Sequence, residues 1–282
     1  MDKLIITVAP TGNVPTRQMN ANLPITPGEI AEDVERCRNA GASLFHIHAR
    51  DSQQKPTLDS AVFSKIVKNI KKRAPEVIIQ LSTGGRAGRD SEARINPVRL
   101  LPEMGSFTTG SNNMPGIIYE NHPQFIEQLA SVYKETGVIP EMEIFEAGMI
   151  NNALYLQKKY SLKTPLHFNF VLGVPGSLPA SVKNLLFLSE SVPASSTWTV
   201  TGIARAQIPL AAAAIVMGGH VRVGLEDNLM MPDGSASSNV LLVEKVVAIA
   251  REIGREIATP DEAREILSLD PDRKDLILNA IK

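Results

Sequence analysis

The chain has 282 residues, a formal net charge of −1, 43% hydrophobic residues and 21% charged residues, an ordinary globular balance. The near-neutral charge gives no electrostatic case for nucleic acid, and no run approaches the roughly 18 apolar residues that would span a membrane. The single cysteine, Cys37, rules out an intramolecular disulfide and suits a reducing compartment, so a cytoplasmic protein acting on a small molecule is expected.

The first strand, expected over 4–9, starts with no basic stretch and long apolar core ahead of it, so no signal peptide is expected. Thr11-Gly12-Asn13 follows it where a dinucleotide-binding strand would carry G-x-G-x-x-G. Helical periodicity then fits 27–40, opened by Thr26, Pro27 and the capping-box residue Glu29 and stopped at Gly41. Further strands are expected over 43–49, 77–82, 105–109, 139–145, 166–172, 197–202 and 221–225. Helices are expected over 60–73, 123–135, 148–159, 181–189, 208–217 and 240–255. Nearly continuous apolar strands alternating with helices call for a parallel sheet covered on both sides. Eight strands in this length predict one (β/α)8 TIM barrel over residues 1–282, with a C-terminal helical tail from about 259 that serves packing or subunit contact.

In such a barrel the chemistry sits at the C-terminal ends of the strands. His46 and His48 stand at i and i+2 of a strand, on one face, and make half of a zinc site. For a lone H-x-H the plainer alternative is a half-buried strand with two hydrogen-bonded histidines, so a third ligand is required. Glu226, after the eighth strand, is the candidate, and two imidazoles with one carboxylate leave a coordination position open. Ser82-Thr83-Gly84-Gly85 either offers hydroxyls and amides to a carboxylate or forms only a tight turn. Glu143, which shares a strand face with Glu141, either reaches substrate or pairs with an arginine inside the barrel. Arg222 either merely neutralises Asp227 or orients it as a base beside the metal. His167 and His220 lack partner spacing and are expected to be structural, and Gly173-Val174-Pro175-Gly176 is a loop where backbone can approach a ligand.

These residues fall in longer runs. His46-Ile47-His48-Ala49-Arg50, Leu81-Ser82-Thr83-Gly84-Gly85, Pro102-Glu103-Met104, Phe170-Val171-Leu172-Gly173-Val174-Pro175-Gly176, Gly218-Gly219-His220-Val221-Arg222-Val223-Gly224-Leu225-Glu226-Asp227-Asn228 and Ala258-Thr259-Pro260 occur in that order. Together they resemble the β-keto acid cleavage enzymes, from the first strand to about Leu267. The resemblance implies a (β/α)8 barrel, a homo-oligomer (tetramer or dimer), one zinc ion, and conversion of a β-keto acid and acetyl-CoA into acetoacetate and a new acyl-CoA. By the same resemblance His46, His48 and Glu226 hold zinc. Asp227, held by Arg222, takes the substrate proton, and Glu143 helps orient substrate. Ser82 binds the substrate carboxylate, with Thr83 and Gly85 of its turn and Ser106 and Thr108 of the fourth strand completing the substrate-binding set.

One departure bears on the substrate. Family members that act on an amino-substituted acid carry a glutamate in the first βα loop, where this chain has Val14. A buried ammonium left unpaired there costs several kcal/mol, so an apolar or neutral polar tail is expected. Thr108 also stands where an asparagine is common in the family. A metal-dependent aldolase or hydrolase without CoA is the alternative enzyme, and a non-enzymatic zinc- or ligand-binding barrel is the alternative outside catalysis.

Overall fold

Residues 1–87, 90–114 and 116–281 are described by a computed structural model. Its eight parallel strands are β1 (Ile6–Val8), β2 (Leu44–Ile47), β3 (Ile78–Leu81), β4 (Met104–Thr108), β5 (Ile139–Ile144), β6 (His167–Leu172), β7 (Thr197–Gly202) and β8 (His220–Val223). Each pairs with its sequence neighbours, and β1 closes the barrel on β8 through Ile6↔Val221 and Val8↔Val223. One helix follows each strand: α1 (Pro27–Ala40), α2 (Ser60–Arg73), α3 (Ser91–Arg99), α4 (Pro123–Thr136), α5 (Gly148–Tyr160), α6 (Val182–Ser191), α7 (Gln207–Met217) and α8 (Asn239–Glu252).

The first two helices keep the boundaries read from sequence, and the capping box of α1 forms as expected. Thr26 accepts from Glu29 N while Glu29 caps the Thr26 backbone, and Asp59 accepts from Ala61 N. The helix α3 is not foreseen, since it spans only nine residues and holds Pro97. The eighth strand stops at Val223, short of the expected 225. Gly224, at φ +143, packs so close to β1 that a Cβ there would lie 2.2 Å from the Ala9 carbonyl oxygen. Only glycine passes at that distance, and the chain turns away there to present Glu226 and Asp227.

Both faces of the strands are buried, but they differ in chemistry. Outward residues such as Val8, Phe45, Ile79, Phe107 and Val223 pack with Val34, Phe63 and Val246 from the helices in the main core. The inward positions nearest the strand starts, Ile5, Leu44, Ile78, Met104 and Ile139, are also apolar. They are covered by the C-terminal segment, where α9 (Pro260–Ile266) contributes Ala263 and the residues after it Leu267 and Leu269. Each such side chain, fully buried, stabilises by roughly 1.5–3 kcal/mol. Arg264 fixes that plug through a buried pair with Glu103, with N–O distances of 2.6 and 2.9 Å. The tail therefore packs within its own chain and closes the bottom of the barrel. Higher up, registered pairs are polar: His46↔Gln80, Ser106↔Glu141, Thr108↔Glu143 and Thr201↔Arg222. Chemistry is thereby confined to the mouth.

Candidate active site

The histidine pair stands at the end of β2, with His48 just beyond the strand. The His46 Nδ1 hydrogen-bonds the Gln80 side-chain oxygen across the β2–β3 register. With Nδ1 donating, Nε2 is left as a bare lone pair. Burial, aided by the charge of Arg222, pushes the His46 pKa down to about 3, so the ring is the neutral form that a metal requires. His46 Nε2 and His48 Nε2 face each other at 3.1 Å, and His48 Nε2 lies 3.3 Å from Glu226 Oε1. The ligand atoms of all three lie within 4.8 Å of one another.

Glu226 is placed by close packing rather than by a strand. A Cβ on Gly12, which has φ +64, would lie 2.5 Å from Glu226 Cγ, so glycine lets the first βα loop lie against this side chain. Burial alone would raise the Glu226 carboxyl, but His48 and Arg222 outweigh it and hold the group well below the usual carboxylate range. Its second oxygen, Oε2, is buried without a hydrogen-bond partner among the described residues. Two converging imidazole nitrogens and an unsatisfied anionic oxygen fit a divalent cation.

Beside this trio Arg222 reaches three carboxylates. Its Nε lies 2.9 Å from Asp227 Oδ2, its Nη2 2.7 Å from Glu226 Oε1, and its Nη1 3.7 Å from Glu143 Oε1. Burial lifts Asp227 to about 6 although Arg222 pulls against it, and burial lifts Glu143 to about 7 against the same guanidinium. Two carboxyls that titrate near neutrality beside the His46, His48 and Glu226 cluster are suited to moving a proton.

Ser82 borders the same cavity, its Oγ accepting from Gly84 N at 3.2 Å. The other expected substrate groups do not line it. Thr83 and Ser106 bond to each other, Thr83 Oγ1 donating to Ser106 O at 2.7 Å, and Gly85 packs against the Arg94 guanidinium. Thr108 Oγ1 donates to Glu143 Oε2 at 2.7 Å, so it acts on that carboxyl rather than on the cavity. His167 and His220 do not line the cavity. His167 Nε2 lies 3.2 Å from Glu141 Oε2, and His220 Nδ1 accepts from Ile5 N.

The cavity holds about 310 Å³, and Val14, Met114, Tyr119, Phe145, Val174 and Pro175 form its apolar wall. Sequence reasoning passed over several groups around it. Gln80 sits two residues before Ser82 on the same strand face, and that spacing is a usable signal. Arg50 ties the first loop in place through Gly12 O and Pro15 O, at 2.9 Å each. Arg94 holds the Ser82 turn through Thr83 O at 2.9 Å. Arg86, on the cavity rim, follows Gly85 directly in that turn.

Fold and site together define a (β/α)8-barrel enzyme with a His-His-Glu cluster that could hold a metal, beside a buried aspartate–arginine pair. A family model of beta-keto acid cleavage enzymes matches residues 3–269. The chain is 48% identical over 271 residues to the 3-keto-5-aminohexanoate cleavage enzyme of Fusobacterium nucleatum, covering 95% of this chain and 99% of that one. It is 37% identical over 269 residues to the 3-oxoadipate:acetyl-CoA acetyltransferase of Cupriavidus necator, covering 94% of each. Among solved structures, the ternary complex of ObcA with a C4-CoA adduct and oxalate superposes with a TM-score of 0.80 at 24% identity, over 88% of this chain and 68% of that one. The chain belongs to the β-keto acid cleavage enzyme family.

Proposed function

We infer that this protein is a zinc-dependent acyltransferase, turning a β-keto acid and acetyl-CoA into acetoacetate and a new acyl-CoA. The observation that carries the reading is the junction of two sets: the converging His46, His48 and Glu226, and the Asp227 carboxylate held 2.9 Å from Arg222 directly beside them. His46, His48 and Glu226 would hold zinc, which would supply a Lewis acid that lowers the cost of negative charge on the substrate carbonyl oxygen.

Asp227 removes a proton from the carbon between the ketone and the carboxylate, and Arg222 keeps it aimed. The resulting carbanion attacks the thioester carbonyl of acetyl-CoA and expels the CoA thiolate. That thiolate adds to the original ketone carbon and the bond to the neighbouring carbon breaks. The substrate acyl group leaves on CoA, and acetoacetate recovers its proton from Asp227. Ser82 receives the substrate carboxylate. Glu143, fixed by Thr108, orients the substrate from the opposite wall. Thr83, Gly85 and Ser106 shape the turn that carries Ser82, a supporting role rather than a contact.

Cytoplasmic location and homo-oligomeric assembly belong to the same reading. Among the described residues no helix is long and apolar enough to cross a membrane. Exposed Val182, Leu186 and Phe187 on α6 suit contact with a second copy. A CoA-independent aldolase or hydrolase is separated by one assay, since only the acyltransferase consumes acetyl-CoA in proportion to the keto acid and releases acetoacetate.

A further inference from the structure

The arginines around the mouth differ in how they are held. Arg222 is taken up by the carboxylates of Glu143, Glu226 and Asp227. Arg50 and Arg94 bond carbonyl oxygens of the loops they fasten. Arg86 also lines the cavity, yet the contact its Nη2 makes is with Met114 Sδ, at 2.7 Å. A thioether is a weak acceptor and no match for a guanidinium. The acidic side chains lining the cavity are Glu143, Glu226 and Asp227, and all three face Arg222, so among the described residues no carboxylate of the cavity neutralises Arg86. Met114, Tyr119 and Phe145 line the same cavity as apolar wall. The cavity thus carries the His46, His48 and Glu226 cluster and Ser82 at its head, an apolar wall, and at its rim a cation with no carboxylate partner among the described residues.

We propose that Arg86 is a specificity-determining residue that binds an anionic group at the far end of the β-keto acid, making a 3-oxo dicarboxylic acid the preferred substrate class. This rests on the β-keto acid reading of the site and replaces the uncharged tail expected from Val14 alone. A guanidinium meets a carboxylate in bidentate fashion, with charge-assisted hydrogen bonds that the Met114 sulfur cannot supply. Val14 remains consistent with the choice, because a loop without a carboxylate does not repel an anionic tail.

The test is direct binding of 3-oxohexanedioate and of 3-oxohexanoate to the purified protein by calorimetry, with acetyl-CoA withheld, followed by turnover with acetyl-CoA. The dianion is expected to bind roughly 10- to 100-fold more tightly than the monoanion. Arg86→Gln should shrink that preference to about 3-fold or less, and Arg86→Lys should restore part of it as a point charge. Equal affinity of the wild-type protein for the two acids, or a preference that survives in Arg86→Gln, would overturn the proposal. So would an Arg86→Gln variant whose defect is a raised KM for acetyl-CoA with the preference between acids intact, since Arg86 would then serve the CoA phosphates. Tight, Arg86-dependent binding of the dianion without acetyl-CoA consumption would uphold the anion site while refuting the acyl-transfer reading.

Discussion

Arg222 grips Asp227 through two hydrogen bonds, Nε to Oδ2 at 2.9 Å and Nη2 to Oδ1 at 3.2 Å, and the same Nη2 reaches Glu226 at 2.7 Å. One planar group therefore fixes Asp227 relative to Glu226. Asp227→Asn keeps the shape and removes the basicity. Metal content should stay at the wild-type level while kcat drops by roughly 10²–10⁴-fold, the usual worth of a general base. Near-normal turnover would show that the proton goes elsewhere, with Glu143 next in line.

The buried carboxyl of Glu143 makes stability depend on pH in a defined direction. Burial raises it from 4.5 to about 7, so the folded state holds its proton over a range in which the unfolded chain has lost it. Charging it in the folded state is unfavourable, and stability falls as pH rises from about 4.5 to about 7, by an amount on the order of 3 kcal/mol. Glu143→Gln removes that loss. In chelator-treated protein its melting temperature should exceed that of wild type at pH 8 and match it near pH 4.5. A variant less stable than wild type at pH 8 would mean that the Arg222 attraction outweighs desolvation.

Gly12 tests how the ligand set is built. Alanine there adds a Cβ 2.5 Å from Glu226 Cγ, on a backbone at φ +64. Displacing Glu226 should weaken zinc binding by about 10- to 100-fold in a chelator competition, the range seen when groups supporting a ligand are changed. Unchanged affinity would show that Glu226 does not hold the ion.

Val14 is 54% exposed on the rim, where a carboxylate would meet an ammonium only partly screened from water. Val14→Glu should therefore raise kcat/KM for 3-keto-5-aminohexanoate modestly, by about 3- to 10-fold relative to an uncharged acid of the same length. A wild-type preference for the amino acid substrate would refute the argument from this residue.

Where local chemistry decides structure, the sequence is easy to read. The cap of α1, the alternation of strand and helix, and the i, i+2 histidines all speak for themselves. The meeting of Glu226 with His46 and His48 was legible because Glu226 follows the last strand of a closed barrel, which pairs with β1, itself the neighbour of β2. What escaped depends on packing across the chain. The Thr83 and Ser106 hydroxyls look free in sequence, but in the fold each bonds the other residue's backbone, Thr83 Oγ1 donating to Ser106 O and Ser106 Oγ accepting from Thr83 N. Arg86 carries no spacing signal, and its importance emerges only once every cavity carboxylate is seen to face Arg222. The helix α3 is hidden by Pro97, and the short hairpin formed by Asn112–Met114 and Ile117–Tyr119, which brings Met114 and Tyr119 to the cavity, lacks any long apolar run.

Carbon tracing tests the central claim most directly. Zinc-loaded protein is incubated with a 3-oxo acid and acetyl-CoA carrying ¹³C at the acetyl carbonyl, and the products are read by NMR. Label is expected at the ketone carbon of acetoacetate, with an unlabelled new acyl-CoA, and both products are lost when His46 is replaced by alanine. Label that stays in acetyl-CoA, or appears in free acetate, would contradict the claim.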